Sequence, residues 1–545
     1  MSKVAHYLQE HLIGEVITSP DARRYFATDT SIFTLTPAIV VYPRNENDIR
    51  KTARFTWQLA EKGRVIPITA RGAGTDQTGA AIGSGIMMVF PAHMNKILEL
   101  DPKSGRVALQ PGINFGKLQQ TLHTHGRFLP PYPASIEYCT VGGSIANNAA
   151  GEKSIKYGSM RDFVRSLRVV LANGEVIETR RLSKRELNKK LGQSTFEGEV
   201  YRALDTLIEE NKELIAKAKP DLPKNSSGYA LAEVKRKDGS FDLTPLLVGS
   251  QGTLGIISEA VIETEAHNPH TSLLVASFKN IDEAARATLE LKALPAPPST
   301  LEMVDDHLLN FIDKHNPNQL RGLLEKPFGR FVLLTEFDDQ NQRMQKRMTK
   351  KARKILERYN ADVRIETDPE QQDSLWKIRH SAASVASFYD GGTKALPIIE
   401  DGIVPTEKLG EYIESVYALY ARYNLQVALW GHAGSGNLHM QPMLDLSQLG
   451  DRQKIFRIID EYHTLVLSLG GSLSGEHGDG RLRGPYLAKQ FGQDVYDVFT
   501  SLKIIFDPHG TLNPGVKVGI ALDDVKPLLR NDYTMSHLYE HMPRT

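Results

Sequence analysis

The 545-residue chain has a single cysteine, Cys139. That excludes an internal disulfide and any iron–sulfur cluster held by several cysteines, and it fits a reducing compartment. Electrons, if the chain handles them, leave by another route. Charge of one sign is also missing: 66 basic against 65 acidic residues leave a formal +1, so there is no electrostatic reason to expect nucleic-acid binding, and small-molecule chemistry is favoured. No apolar run approaches the ~20 residues that a membrane span needs, and the opening MSKVAHYLQEHLIGEV has no apolar h-region. The expected location is cytoplasmic, with peripheral membrane attachment as a further option. Apolar residues, at 41%, are ample for about two or three domains at this length.

Glycine is concentrated where chemistry-bearing residues stand. GHAGSGNLH (431–439) and SGEHGDG (474–480) offer His432, His439, Glu476 and His477 from glycine-rich backbone, the inventory of a divalent metal site with a base beside it. The glycines and Asn437 argue against a helix between the first two histidines. LQVALWGH reads instead as a strand, AGSGN as a turn and LHMQPML as a returning strand, so the two imidazoles can meet. Glu476 and His477, neighbours in what reads as extended chain, are expected to point to opposite sides and do different jobs. Two basic runs, 343–358 and 181–190, have apolar residues at helical spacing (Met344, Met348, Ala352, Ile355 and Tyr359 in the first) and read as amphipathic helices with a solvated basic face.

The first half alternates strand and helix. Strands are expected over 38–43 and 64–70, with a glycine-stopped helix over 46–63 between them. The second strand enters RGAGTDQTGAAIG (71–83), whose backbone amides can approach a diphosphate. TVGGSIANNAAG (140–151), preceded by the rigid turn YPAS, forms a second small-residue loop, and LLVGSQGTLGIISEAVIET (246–264) reads as strand, glycine turn and strand. Together these loops suggest a dinucleotide. Strand and helix units recur at 272–278, 281–293, 330–337, 339–358 and 361–367, followed by helices over 406–423 and 455–470. His463, in the last of these, reads as structural.

In this order, RGAGT, TVGGSIANNAAG with KYGSMRD, NSSGYAL (225–231) and GSQGTLGIISEA resemble the FAD domain of the p-cresol methylhydroxylase and vanillyl-alcohol oxidase superfamily. GHAGSGNLH, SGEHGDG and DPHGTLNPGVKV (507–518) are similar to its branch of FAD-dependent D-2-hydroxy acid dehydrogenases and glycolate oxidase flavin subunits. The resemblance implies an α+β fold: a two-part FAD-binding domain with an α/β cap. The implied segments are an N-terminal helical part (1–34), the FAD domain (35–267), the cap with the metal (268–500), a return to the FAD domain (501–520) and an unassigned tail (521–545).

For residues, it implies that Arg71, Gly72, Ala73, Gly74 and Thr75 hold the FAD diphosphate, with Asp76 beside them as a further cofactor contact. Pro133, Ser135, Thr140, Val141, Gly142, Gly143, Ser144, Asn147, Ala150, Gly151, Tyr157 and Gly158 line the cofactor. Gly252, Thr253, Gly255, Ile256, Ile257 and Asn513 touch it again. With no histidine in the loop 71–83, FAD is expected to be non-covalent. His432, His439 and Glu476 become ligands of a divalent metal, zinc first with manganese or iron as alternatives, and His477 becomes the base. Arg379, in WKIR, becomes the carboxylate anchor, and Lys394 a second substrate contact. The implied reaction takes a D-2-hydroxy acid such as D-lactate, or glycolate, to the 2-oxo acid. The acceptor stays open among a quinone, an electron-transfer protein, a cytochrome and oxygen, and so does homo-oligomer formation. Two alternatives are a flavin subunit that needs a partner and a non-catalytic FAD-binding protein. The chain departs from the pattern at Asp76, Gln251 and His380, and at Ala383 and Gln441, where the hydroxyglutarate branch has substrate-contacting Thr and Asn. The insertion 396–405 adds Glu400 and Asp401 without an assigned role.

Overall fold

The computed structural model of the chain describes residues 3–388 and 392–538, with the backbone alone for 315, 317, 319 and 381–388. Ala383 therefore lies outside the described side chains. Strand Ile39–Tyr42, fully buried, is followed by helix Glu46–Ala60, whose N-terminus is capped by the Asn45 side chain accepting from the Asp48 amide. Strands Ile39–Tyr42, Ile86–Val89 and Ile68–Arg71 pair in parallel, with Glu15–Ile17 antiparallel at the edge. The strand ending at Arg71 delivers the glycine loop at its carboxyl end, where open α/β sheets place ligands.

A five-stranded antiparallel sheet follows, ordered Ile97–Asp101, Arg106–Leu109, Ile256–Glu263, Val164–Val170 and Val176–Thr179. Its central strand Ile256–Glu263 alternates buried and half-buried positions, the period-two pattern of a strand with one face on the core. The strand expected just before it is absent. Residues Thr244–Leu247 form a helical turn, because Pro245 fixes its own φ and has no amide for a sheet ladder.

The third sheet carries the site. Its seven strands are Asp362–Glu366, Ser272–Phe278, Phe331–Phe337, Thr300–Asp305, Val427–His432, Asn437–Leu444 and Lys394–Ala395, all antiparallel to their neighbours. Helices Ile281–Lys292, Gln342–Arg358, Leu409–Arg422 and Leu449–Ser468 share one large apolar core with it. Helices Asp306–His315 and Pro369–Phe388 contribute to a second core with Val304, Val332 and Trp430. The basic helix Gln342–Arg358 buries Met348, Ala352 and Ile355, as its spacing predicts. Among the described residues no helix is long and apolar enough to cross a membrane.

The chain then returns to the first sheet. The Ile68 amide donates to Thr511 O at 2.7 Å and the Asn513 amide to Ile68 O at 2.9 Å. Beyond that, the tail recrosses the molecule. The Arg530 amide donates to Ile32 O, Tyr533 donates its hydroxyl to Thr30 O at 2.7 Å, and His537 Nε2 lies 3.0 Å from Gly74 O.

Candidate active site

The hairpin is the starting point. Strand Val427–His432 turns through Ala433–Ser435 into Asn437–Leu444, with Trp430 opposite His439 and His432 opposite Asn437. In that register Trp430, His432, His439 and Gln441 share one face, and the two imidazole centroids stand 5.3 Å apart. Glu476 closes the cluster: its Oε1 lies 2.9 Å from His432 Nε2, 3.4 Å from His439 Nε2 and 3.6 Å from His477 Nε2.

Glu476 and His477 thus point into the same cluster and not to opposite sides. The cause is Asp401, whose carboxylate accepts from the amides of both Glu476 and His477 and from the Ser474 hydroxyl. Two successive amides aimed at one acceptor require curled backbone, which abolishes the alternation of a strand.

The donor set fits a divalent cation. His439 Nδ1 sits 2.6 Å from the Glu400 carbonyl oxygen and His432 Nδ1 lies 2.7 Å from Glu302 Oε1. Both partners are acceptors, so each Nδ1 carries a hydrogen, and each Nε2 is turned to Glu476, where it could give its lone pair to a cation held between them. The three ligand atoms lie within 4.8 Å of one another. Two imidazoles and one carboxylate leave coordination positions open, as catalytic sites do. Burial works to raise the Glu476 carboxyl, but His432 and Lys224 outweigh it and hold it well below the usual carboxylate range. Lys224 Nζ reaches Glu476 Oε2 at 2.8 Å, and the Gly151 amide donates to the same oxygen.

His477 is the most exposed of the four. Its Nδ1 is 2.7 Å from Glu400 Oε2 but out of line, so neither atom has a hydrogen-bond partner. Burial lowers the imidazole, yet the Glu400 and Asp401 carboxylates prevail and hold it up at about 10. Glu400 is also paired with Arg483 at 2.6 Å. The insertion thus supplies both carboxylates that shape the site.

Glu302, on the buried strand Thr300–Asp305, is the residue that sequence reasoning missed. One oxygen faces His432 and the other accepts from Arg379 Nε at 2.7 Å. Arg379 Nη1, also buried, has no partner and belongs to a cavity wall. Because Glu302 orients an imidazole of the cluster, Glu302→Gln is expected to weaken retention of a divalent cation roughly 10–100-fold, measured by competition with a chelator.

That cavity, 240 Å³ and roomy enough for a small organic acid, is lined by Arg379, His380, Glu400, His432, His439, Glu476 and His477. Tyr132, Pro133, Ser135, Ser144, Trp430, Gln441 and, from the tail, Tyr533, Met535 and Leu538 complete much of the wall. Thr75, Gly143 and Asn147 line both this cavity and a groove bounded by Arg71, Gly72, Ala73, Gly74, Asp76, Thr140, Gly142, Gly252, Gly255 and Ile257. The expected cofactor loops therefore meet the histidine cluster.

The groove fits a flat or extended cofactor. A Cβ on Gly252 would meet nothing nearer than 3.9 Å, and one on Gly143 only Thr140 Oγ1 at 3.2 Å, so bare backbone faces the space. Gly143→Leu should fill it, costing about 1–3 kcal/mol or roughly tenfold to 100-fold in flavin affinity, read as flavin absorbance per protein after purification. Arg71 turns inward, donating to the Thr28 and Ala81 carbonyls, and so staples the loop. Asp76 accepts from the Thr78 and Ala80 amides and from Asn147, tying two loops together. Gln251 does similar work, donating to Asn147 and His477 O and accepting from the Gly480 amide.

Other expected contacts are not brought to either hollow. Val141, Ala150 and Ile256 are core residues, and Gly151 serves Glu476. Tyr157 donates to Asp338, Gly158 backs onto Asp162, and Thr253 bonds Ser250 O and Tyr229. Asn513 braces the groove from behind by donating to Ala80 O and Gln251 O. Lys394 lies half-buried on the edge strand opposite Leu444 and does not line the cavity. His380, by contrast, does line the cavity and is held by Glu152 at 3.0 Å. His463 is buried beside Tyr486, away from the cluster.

Comparisons with known proteins match both halves of the chain. Residues 37–180 match a family described as FAD binding domain, and residues 267–516 one described as FAD linked oxidases, C-terminal domain. The chain is 30% identical to glycolate oxidase subunit GlcD of Bacillus subtilis, covering 88% of each chain. It is 31% identical to D-2-hydroxyglutarate dehydrogenase of Haemophilus influenzae, covering 94% of this chain and 51% of that one. The chain spans about half the length of the D-2-hydroxyglutarate dehydrogenases it matches. In fold it is similar to 4-ethylphenol oxidase from Gulosibacter chungangensis, with a TM-score of 0.68 at 14% identity over 95% of this chain and 97% of that one.

Proposed function

Because the chain belongs to the FAD-linked oxidase family, we propose that it oxidises a D-2-hydroxy acid such as D-lactate, or glycolate, to the 2-oxo acid, with non-covalent FAD and a divalent metal. The observation that carries this reading is the convergence of His432 Nε2, His439 Nε2 and Glu476 Oε1 at a cavity that opens onto the cofactor groove. The names of the relatives, glycolate oxidase and D-2-hydroxyglutarate dehydrogenase, agree with it. Residues 35–267 are read as the FAD domain, 268–500 as the cap and 501–520 as the return.

Arg379 offers its unpartnered Nη1 to the substrate carboxylate and fixes the acid in one orientation. Bound FAD supplies the acceptor for the hydride that leaves C2. A cation held by His432, His439 and Glu476, zinc, manganese or iron, supplies polarisation of the 2-hydroxyl. The hydroxyl proton goes to His477 Nε2 as the C2–O bond becomes a carbonyl. Glu400 and Asp401 hold the His477 imidazole up at about 10, and an imidazolium accepts no proton. A divalent charge held beside it would oppose those carboxylates and favour the neutral imidazole, which would tie the base to the metal.

The test is anaerobic addition of D-lactate, L-lactate and glycolate to the FAD-loaded protein. The reading expects flavin bleaching by the D-acid or glycolate and not by the L-acid. A flavin that no 2-hydroxy acid reduces contradicts it. A second reading, a flavin subunit of a larger assembly, is favoured by the single cysteine, which leaves no cluster on this chain to carry single electrons onward. In that case an artificial acceptor sustains turnover where oxygen does not.

A further inference from the structure

We infer that the cavity selects 2-hydroxy monocarboxylic acids with a bulky apolar side chain, and that the C-terminal tail forms the wall that recognises this side chain. The inference rests on the 2-hydroxy acid reading above and narrows it.

Among the described residues lining the cavity, Arg379 alone is a cation with an uncommitted donor, its Nη1. His380 is engaged by Glu152 at 3.0 Å, and the remaining histidines belong to the cluster around Glu476. Among the described residues no lysine lines the space; residues 381–391 contain no lysine, arginine or histidine, and beyond Leu538 the sequence carries His541 and Arg544. One guanidinium binds one carboxylate. A second carboxylate on the substrate would be desolvated beside Glu152, Glu400 and Glu476 with neutral groups such as the amides of Gln77, Asn147 and Gln441 to meet it and no further uncommitted cation among the described residues, an arrangement that disfavours a dicarboxylate.

Trp430 shares the hairpin face of His432 and His439, and its ring centre lies 6.2 Å from that of His439. A substituent leaving C2 beside the cluster therefore meets an indole. Pro397, Tyr533, Met535 and Leu538 line the same cavity. The Tyr533 hydroxyl is spent on Thr30 O at 2.7 Å, and the segment is tied down by Arg530 and by His537 against Gly74 O. The tail therefore contributes a fixed and mainly apolar part of the wall, while the cations of the cavity are Arg379 and the histidines, as in pockets that orient a ligand by a few polar contacts.

The experiment compares kcat/KM on the FAD- and metal-loaded protein for D-lactate, D-2-hydroxyisocaproate, D-phenyllactate and D-2-hydroxyglutarate with an artificial acceptor. The bulky apolar acids should exceed D-lactate by at least about tenfold. They should exceed D-2-hydroxyglutarate by at least about 100-fold. Met535→Ala and Leu538→Ala should each lower the ratio of D-phenyllactate to D-lactate about fivefold to tenfold, mainly through KM, with flavin content measured alongside. D-2-hydroxyglutarate or D-lactate as the best substrate overturns the inference while the 2-hydroxy acid reading stands. A ratio that neither tail variant moves overturns the role of the tail. A flavin that none of the acids reduces overturns both the reading and the inference built on it.

Discussion

Glu476→Gln is expected to lower turnover on the order of 10³-fold and, separately, to destabilise the fold by roughly 3–5 kcal/mol. The two effects have different causes. Turnover falls because Oε1 is the one anionic atom facing His432, His439 and His477 together, and a neutral amide there holds a cation poorly. Stability falls because Oε2 is the partner of Lys224, whose side chain is 2% exposed, so the exchange leaves a buried ammonium without its counter-charge. Adding Lys224→Met removes that ammonium. The double variant should recover most of the urea midpoint lost by the single one and none of its turnover. Turnover that returns with stability would assign Glu476 to the architecture alone.

His477→Asn should lower turnover about 10²–10⁴-fold, the usual contribution of a positioned base, while flavin and metal content stay at the wild-type level. The structure explains why the variant should fold. Glu400, the carboxylate closest to His477 Nδ1, keeps its pair with Arg483 at 2.6 Å, and Asp401 keeps the backbone amides of residues 476 and 477. No charge is stranded. Rates measured against pH sharpen the assignment, because the wild-type profile should carry an ionisation that the asparagine variant lacks. An unchanged turnover would remove His477 from the chemistry.

The hairpin was legible in the sequence because its information is local. An alternating apolar strand, a glycine turn and a second strand fix the register, and the register alone brings His432 and His439 onto one face. The 474–480 loop was misread because its shape is set at a distance: Asp401 lies 75 residues before Glu476 and curls the backbone by accepting from two successive amides. Glu302 was invisible for a related reason. It is one acid in the apolar run TLEMVD, and its role appears only when that strand pairs beside Trp430 and Gly431. The tail carries no periodicity or glycine loop, and its anchors are backbone oxygens of residues 30 and 74. Lys394 stands outside the cavity lining because its edge strand pairs with Leu444, at the far end of the strand from Asn437.

The most direct measurement of the central claim follows anaerobic reduction of the FAD-loaded protein by a D-2-hydroxy acid in three states: as loaded with metal, after chelation, and after the cation is restored. Bleaching is expected in the first, a rate at least about 10³-fold lower in the second, and recovery in the third, with metal content tracking the rate. Reduction at an undiminished rate in protein shown to hold no metal would contradict it.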